Sequence, residues 1–173
     1  RGPWTSGGIE FNYGVIGHAP SCAHPVDYKV ETKEDGSVSC YIGVMELLTR
    51  TRWMVEINLP KDAVWVRTRS FWHNYSGDFQ PYYTWANSGV KVTDDMELIY
   101  PGTYTIGHDG VTTPYPVDEQ GRDLSIYAEQ GFGLDKSFHP GGTHKGYFGA
   151  YWAGEDFGVL HYALRDEKVG RKY

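Results

Sequence analysis

Apolar and polar residues alternate along most of this chain with a period of two, and no long stretch carries the 3.6-residue period of a helix. Tyr28-Lys29-Val30-Glu31-Thr32 alternates, as does Val38-Ser39-Cys40-Tyr41-Ile42-Gly43-Val44. Between them, Glu34-Asp35-Gly36-Ser37 is a hairpin signal, because Gly36 accepts a positive φ. From Arg52 to Leu59 the pattern puts Trp53, Val55, Ile57 and Leu59 on one face. Pro60-Lys61-Asp62 reads as a turn, and Ala63–Trp72 as a second strand. Val64, Val66, Thr68 and Ser70 share one side of it, and Trp65, Arg67, Arg69 and Phe71 the other. A hairpin closed around Lys61 sets Arg67 and Arg69 opposite Val55 and Trp53, which predicts arginine stacked on tryptophan.

Shorter strands are expected at Pro81–Asn87, Gly89–Val92 and Met96–Tyr100. Pro101–Pro140 reads as irregular, with one helical turn around Leu124–Glu129, and is long enough to be a functional loop or lid. Tyr147–Trp152 and Phe157–Leu164 read as a hairpin across Ala153-Gly154-Glu155-Asp156. Roughly eight to ten short strands with hairpin spacing predict an all-β, antiparallel β-sandwich with long irregular loops. The 173 residues suit a single β-sandwich domain over 1–173.

Composition sharpens this picture. Aromatics make up 16% of the chain, with 14 Tyr and 6 Trp beside 22 Gly and 9 Pro, so strands and turns are both well supplied. Some of those flat, amphipathic rings are candidates to face sugars; the plain alternative is core packing. A net charge of −6 argues against nucleic acid as the main partner. No run approaches the ~18 apolar residues of a membrane helix. Phosphate-loop, GxGxxG, GxSxG and HExxH patterns are absent, so no cofactor is expected. Cys22 and Cys40 suit one disulfide or two buried thiols, and either an extracellular or a cytoplasmic setting. Arg1 in place of an initiating Met is expected of a processed, trimmed or partial chain.

Three clusters carry chemistry. The first runs from Trp4 to Tyr13, where Gly7-Gly8 permits close backbone approach and Glu10 and Asn12 share a strand face. With His18, Trp4 and Tyr13 they suit the polar floor of a sugar site; the competing reading is a β-bulge with Glu10 in an ordinary salt bridge. The second places Tyr83, Trp85 and Asn87 on one strand face, two rings and an amide matched to a pyranose; the alternative is an inner core face. The third, Ser137 to His144, holds His139 and His144 without an accompanying acidic or Cys ligand, so a pocket-lining His139 is favoured over a metal site. His161 lies in the last strand, followed by Arg165, Asp166, Arg171 and Lys172. The carboxylates Glu10, Asp94, Asp95, Glu97, Asp109, Asp118 and Asp123 are too many to pair as acid and base without distances.

These residues resemble a bacterial family of unknown function, DUF5107. Trp4-Thr5-Ser6-Gly7-Gly8-Ile9-Glu10-Phe11-Asn12 is similar to its SGGIEFN signature, Tyr82-Tyr83-Thr84-Trp85-Ala86-Asn87 to its YYFWAN strand, and Glu97-Leu98-Ile99-Tyr100-Pro101 to its hydrophobic-YP segment. Gly158 to Ala163, continued to Gly170-Arg171-Lys172, is similar to its ending. The resemblance implies a galactose-mutarotase-like supersandwich that often precedes tetratricopeptide repeats, and a carbohydrate-related role. It further implies that this chain is the central part of a longer domain, with further strands or repeats from a larger protein as partners. Mutarotases keep an Asn-His pair where this chain reads Asn87-Ser88, a departure from the pattern of simple aldose epimerisation; the enzyme classes implied are glycoside hydrolase-like or epimerase-like.

The expected function is therefore carbohydrate-active or carbohydrate-binding. In the enzymatic form Glu10 is base or nucleophile and His18 or His161 the acid. Asn12, Tyr83, Trp85 and Asn87 hold the sugar, with His139 and Arg165 as further contacts. A non-catalytic sugar-binding module and a structural or interaction domain of a tetratricopeptide-bearing protein are the alternatives.

Overall fold

Alternation becomes antiparallel pairing among the described residues. The computed structural model describes residues 8–14, 18, 24–80, 83–131, 138–142 and 145–164. In order the strands are β1 (Gly8–Tyr13), β2 (Asp27–Thr32), β3 (Val38–Glu46), β4 (Thr51–Leu59), β5 (Arg67–Asn74) and β6 (Thr84–Gly89). They continue as β7 (Met96–Ile99), β8 (Tyr104–Gly107), β9 (Thr112–Pro114), β10 (Phe138–Gly141), β11 (Tyr147–Trp152) and β12 (Phe157–Tyr162). Among the described residues the helical structure is one 3-10 turn, Tyr127–Glu129, inside the segment expected to hold a helical turn. The chain divides into two compact units, residues 1–90 and 91–173.

The first unit holds the sheet β2-β3-β4-β5 and the two-stranded sheet β1-β6. The β2–β3 hairpin closes as expected, with Gly36 at φ 79° and its N–H donating to the Lys33 carbonyl at 2.9 Å. β4 turns Trp53 and Val55 into the core, where Ile42, Val44, Ile57 and Trp72 pack around them. Phe11 and Tyr13 of β1 close this core from the second sheet, and the Tyr13 ring stacks on Trp53 at 5.0 Å between centroids. The Tyr13 hydroxyl donates to Ser70 Oγ, so a ring that fills the core also finds a polar partner. Two sheets meeting through such inward side chains form a sandwich core.

The β4–β5 register differs from the expected one. Arg67 lies opposite Asn58 and Arg69 opposite Glu56, while Trp72 faces Trp53. The link between the strands is a loop from Pro60 to Val66 with Asp62 at φ 58°, and not a tight turn around Lys61. The resulting slip by an odd number of residues moves both arginines to the opposite face from Trp53. Arginine does stack on tryptophan, but it is Arg67 on Trp65 of that loop, at 5.5 Å.

The second unit holds the sheets β12-β11-β7 and β10-β8-β9. Met96, Ala150 and Trp152 form its buried cluster with Leu98 against them, and Trp152 Nε1 donates to the Lys91 carbonyl at 3.0 Å. The β11–β12 hairpin forms as read, ending at Tyr162 and not Leu164. Pro101–Pro140 is more regular than expected, since β8, β9 and part of β10 fall within it. Those strands are too short to display alternation, so tertiary pairing decides them. Val90–Val92 lies outside any strand, because β6 ends at Gly89.

Candidate functional site

The β1–β6 ladder joins two of the three sequence clusters. Glu10 lies opposite Asn87 and Asn12 opposite Trp85. Directly opposed residues of an antiparallel pair project to the same face, so these four share one patch. The Gly14 N–H donates to the Tyr83 carbonyl at 2.9 Å and carries the pairing one step further. Gly14 sits at φ 85°, where an L side chain is strained, which accounts for glycine at the end of β1.

Glu10 is the hub of this patch. Its Oε1 accepts a hydrogen bond from Asn12 Nδ2 at 2.6 Å and lies 2.6 Å from His18 Nδ1. The His18 ring in turn meets the Trp85 ring edge-on, 5.1 Å between centroids. Asn12 is 0% and Glu10 6% exposed, whereas the His18 side chain is 28% exposed. A carboxylate that deep needs polar partners to offset its lost hydration, and the amide and imidazole supply them. A carboxylate touching an imidazole is also the arrangement that orients a ring nitrogen and exchanges a proton with it.

The remaining described candidates fall in the core of the first unit, on or beside β6, and in the second unit. Tyr13, expected in the polar floor, belongs instead to the core, where it and Phe11 pack with Trp53. The Tyr83 side chain is exposed, and Asn87 is half-buried on the shared face. His161 is on β12 in the second unit, stacked on Phe148 at 4.8 Å. His139 is on β10 of that unit, its ring 5.9 Å from His108. Trp4, Cys22, Tyr82, His144, Arg165, Asp166, Arg171 and Lys172 lie outside the described residues. Among the described residues Cys40 is a free thiol, and no three metal-ligating side chains converge.

Several carboxylates of the second unit fix turns. Asp95 accepts the Gly154 N–H at 2.7 Å, Asp109 the Val111 N–H at 3.0 Å, and Asp118 the N–H groups of Gln120 and Arg122 at 2.9 Å. Asp123 accepts the Ser125 N–H at 2.9 Å and its hydroxyl at 2.6 Å.

Sequence reasoning missed the buried carboxylate Glu56 on the polar side of β4. Its Oε1 accepts from Lys33 Nζ at 2.9 Å, Ser39 Oγ at 2.9 Å and Tyr41 Oη at 3.0 Å, and Arg69 stands 3.6 Å from Oε2. The Lys33 ammonium, then the Ser39 and Tyr41 hydroxyls, hold its carboxyl down at about 2 against the opposing pull of burial. The signal was a carboxylate on an alternating strand flanked by Ser39, Tyr41 and Arg69, but finding it required the register. Beside it a shallow groove of about 350 Å³ runs over Tyr41, Gly43, Arg52 and Met54.

The model of a family described as "Domain of unknown function (DUF5107)" matches residues 1–173. Among solved structures, the chain is similar to a TPR-domain containing protein from Parabacteroides distasonis ATCC 8503, with a TM-score of 0.82 and 20% sequence identity. The match covers 98% of this chain and 28% of that one, so this chain spans under a third of that protein's length. At that identity the likeness concerns the fold.

Proposed function

We propose that this chain, which belongs to the DUF5107 family, is a carbohydrate-active or carbohydrate-binding β-sandwich domain whose site is built on Glu10, Asn12, His18, Trp85 and Asn87. The carrying observation is the 2.6 Å contact between Glu10 and His18, made beside the Trp85 ring. Carboxylate, amide and imidazole groups hydrogen-bond sugar hydroxyls, while an indole suits the C–H face of a pyranose. In a glycoside-processing form Glu10 is the base or nucleophile and His18 the acid; their contact favours His18 over His161 for that role. A galactose-mutarotase-like ancestry suits this reading. Ser88 following Asn87 removes the histidine that aldose epimerisation would use there.

A second reading is a structural or interaction domain of a larger tetratricopeptide-bearing protein. The complete burial of Asn12 favours it, since a buried amide bonded to Glu10 also serves simply to fix β1. Thermal-shift screening against mono- and oligosaccharides separates the two. Ligand at 100 times Kd adds about 2.7 kcal/mol of stability. The expected result is a shift for the wild type, a smaller one for Trp85→Ala, and binding without turnover for Glu10→Gln. A cooperative melt that no sugar moves would reject the carbohydrate reading and leave the structural one.

A further inference from the structure

The sheet β2-β3-β4-β5 packs one face on the core of the first unit and carries the Glu56 cluster on the other. On that polar face Asp27, Gly43 and Met54 form one cross-strand row, and Lys29, Tyr41 and Glu56 form the next. The groove of about 350 Å³ follows these rows and takes in Arg52, two residues along β4 from Met54. Gly43 leaves a gap in its row between Asp27 and Met54. A Cβ there would stand 2.7 Å from the Trp53 carbonyl oxygen, so close strand approach keeps the position glycine. Tyr41 bounds the groove, and its hydroxyl donates to buried Glu56 at 3.0 Å, which anchors the ring. Charge on this face is unevenly paired. Glu31 pairs with Lys29, and Glu56 with Lys33 and Arg69. Arg52 and Asp27 are exposed in the groove, and neither makes a hydrogen bond or ion pair among the described residues.

We propose that this groove binds a sugar carrying one anionic substituent, a uronate carboxylate or a sulfate ester, as a site separate from the one on Glu10. An unpaired guanidinium is a forked donor matched to a carboxylate or sulfate. Asp27 can only accept, so it suits the hydroxyls of a sugar and not a second anion. Two strand spacings, about 10 Å, separate the backbones at Asp27 and Met54, room for one pyranose between side chains. Tyr41 and Met54 supply the apolar surface that the C–H face of such a ring covers. An acidic peptide fits less well, because a run of carboxylates would meet Asp27 and Glu31 along with Arg52.

Titration calorimetry on the full 173-residue chain tests this with trigalacturonate and a sulfated galactose trisaccharide. Each is measured beside its uncharged counterpart, the methyl ester and the unsulfated trisaccharide. At least one charged sugar is expected to bind about tenfold or more tightly than its counterpart, and whichever does so identifies the anion. Arg52→Gln should abolish that preference, and Arg52→Lys should keep part of it. Both variants should retain the wild-type melt, because residue 52 is exposed. Trp85→Ala should leave the preference intact, so failure here and failure of the Glu10 site are told apart. The proposal is overturned if neither charged sugar binds, if charged and uncharged sugars bind equally, or if the preference survives Arg52→Gln or disappears in Trp85→Ala. Displacement of the bound sugar by an equal concentration of triglutamate would also overturn it and give the groove to an acidic protein.

Discussion

Glu10 on β1 and Glu56 on β4 are each 6% exposed, and the fold surrounds them with opposite kinds of partner. Glu56 meets Lys33 and Arg69, whose charges are permanent at ordinary pH, together with two hydroxyls. Glu10 meets an amide and an imidazole beside an indole ring. Depth does not separate the two carboxylates. The separating property is whether a partner can change its charge. A carboxylate neutralised by lysine is locked as an anion and ties strands together; one against imidazole can pass a proton. The same sandwich thus holds one buried carboxylate against cations and another against an imidazole.

Mutations should pull the pair apart. Glu56→Ala is expected to have the largest effect on stability, about 3 kcal/mol, because the buried Ser39 hydroxyl and the Tyr41 hydroxyl lose their acceptor. Urea unfolding measures it, and a loss under about 0.5 kcal/mol would demote the cluster to surface decoration. Glu56→Gln is expected to cost about 2 kcal/mol at neutral pH. That penalty has a pH signature. The folded carboxyl titrates at about 2 against an ordinary 4.5, so its stabilisation is complete above about 4.5 and disappears as pH falls towards 2. Wild type and Glu56→Gln should therefore converge in stability across that window; parallel curves down to pH 2 would contradict the assignment.

On the Glu10 side, Trp85→Ala should weaken sugar binding by about tenfold, roughly 1.4 kcal/mol, with the melt little changed. Titration calorimetry against the best sugar of the screen reads it, and unchanged affinity would move the site away from β6. Of the two carboxylates the smaller stability effect belongs to Glu10→Gln, about 1 kcal/mol or less, since an amide of the same shape retains a carbonyl for Asn12. Chemical denaturation would reverse the comparison if Glu10→Gln cost more than Glu56→Gln.

The hairpins β2–β3 and β11–β12 were legible in the chain, because a turn with Gly36 or Gly154 joins two strands adjacent in sequence. The β4–β5 register was not. Alternation gives each strand two faces but leaves the offset to the loop, and the seven residues Pro60–Val66 set an offset that a tight turn would not. β8, β9 and β10 were not legible because three or four residues set in a segment rich in Gly and Pro show no period of their own. In the candidate site, Glu10, Asn12 and His18 were legible as one group and Trp85 and Asn87 as another. Their union was not, and neither was the Glu56 cluster, since both rest on cross-strand neighbours.

The amino-acid sequence by itself determined that this protein is built of antiparallel strands, because a side-chain period of two is local and needs no knowledge of partners. Its motifs also placed it with its family, and its composition set the chemistry on offer. Tertiary structure alone decided which residues meet. β1 and β6 are far apart along the chain, and many pairings would satisfy their alternation equally well. The observed one puts Phe11 and Tyr13 against Trp53, and in doing so turns Glu10 and Asn12 towards Trp85 and Asn87. Core packing on one face of β1 chose the register, and the register assembled the site on the other.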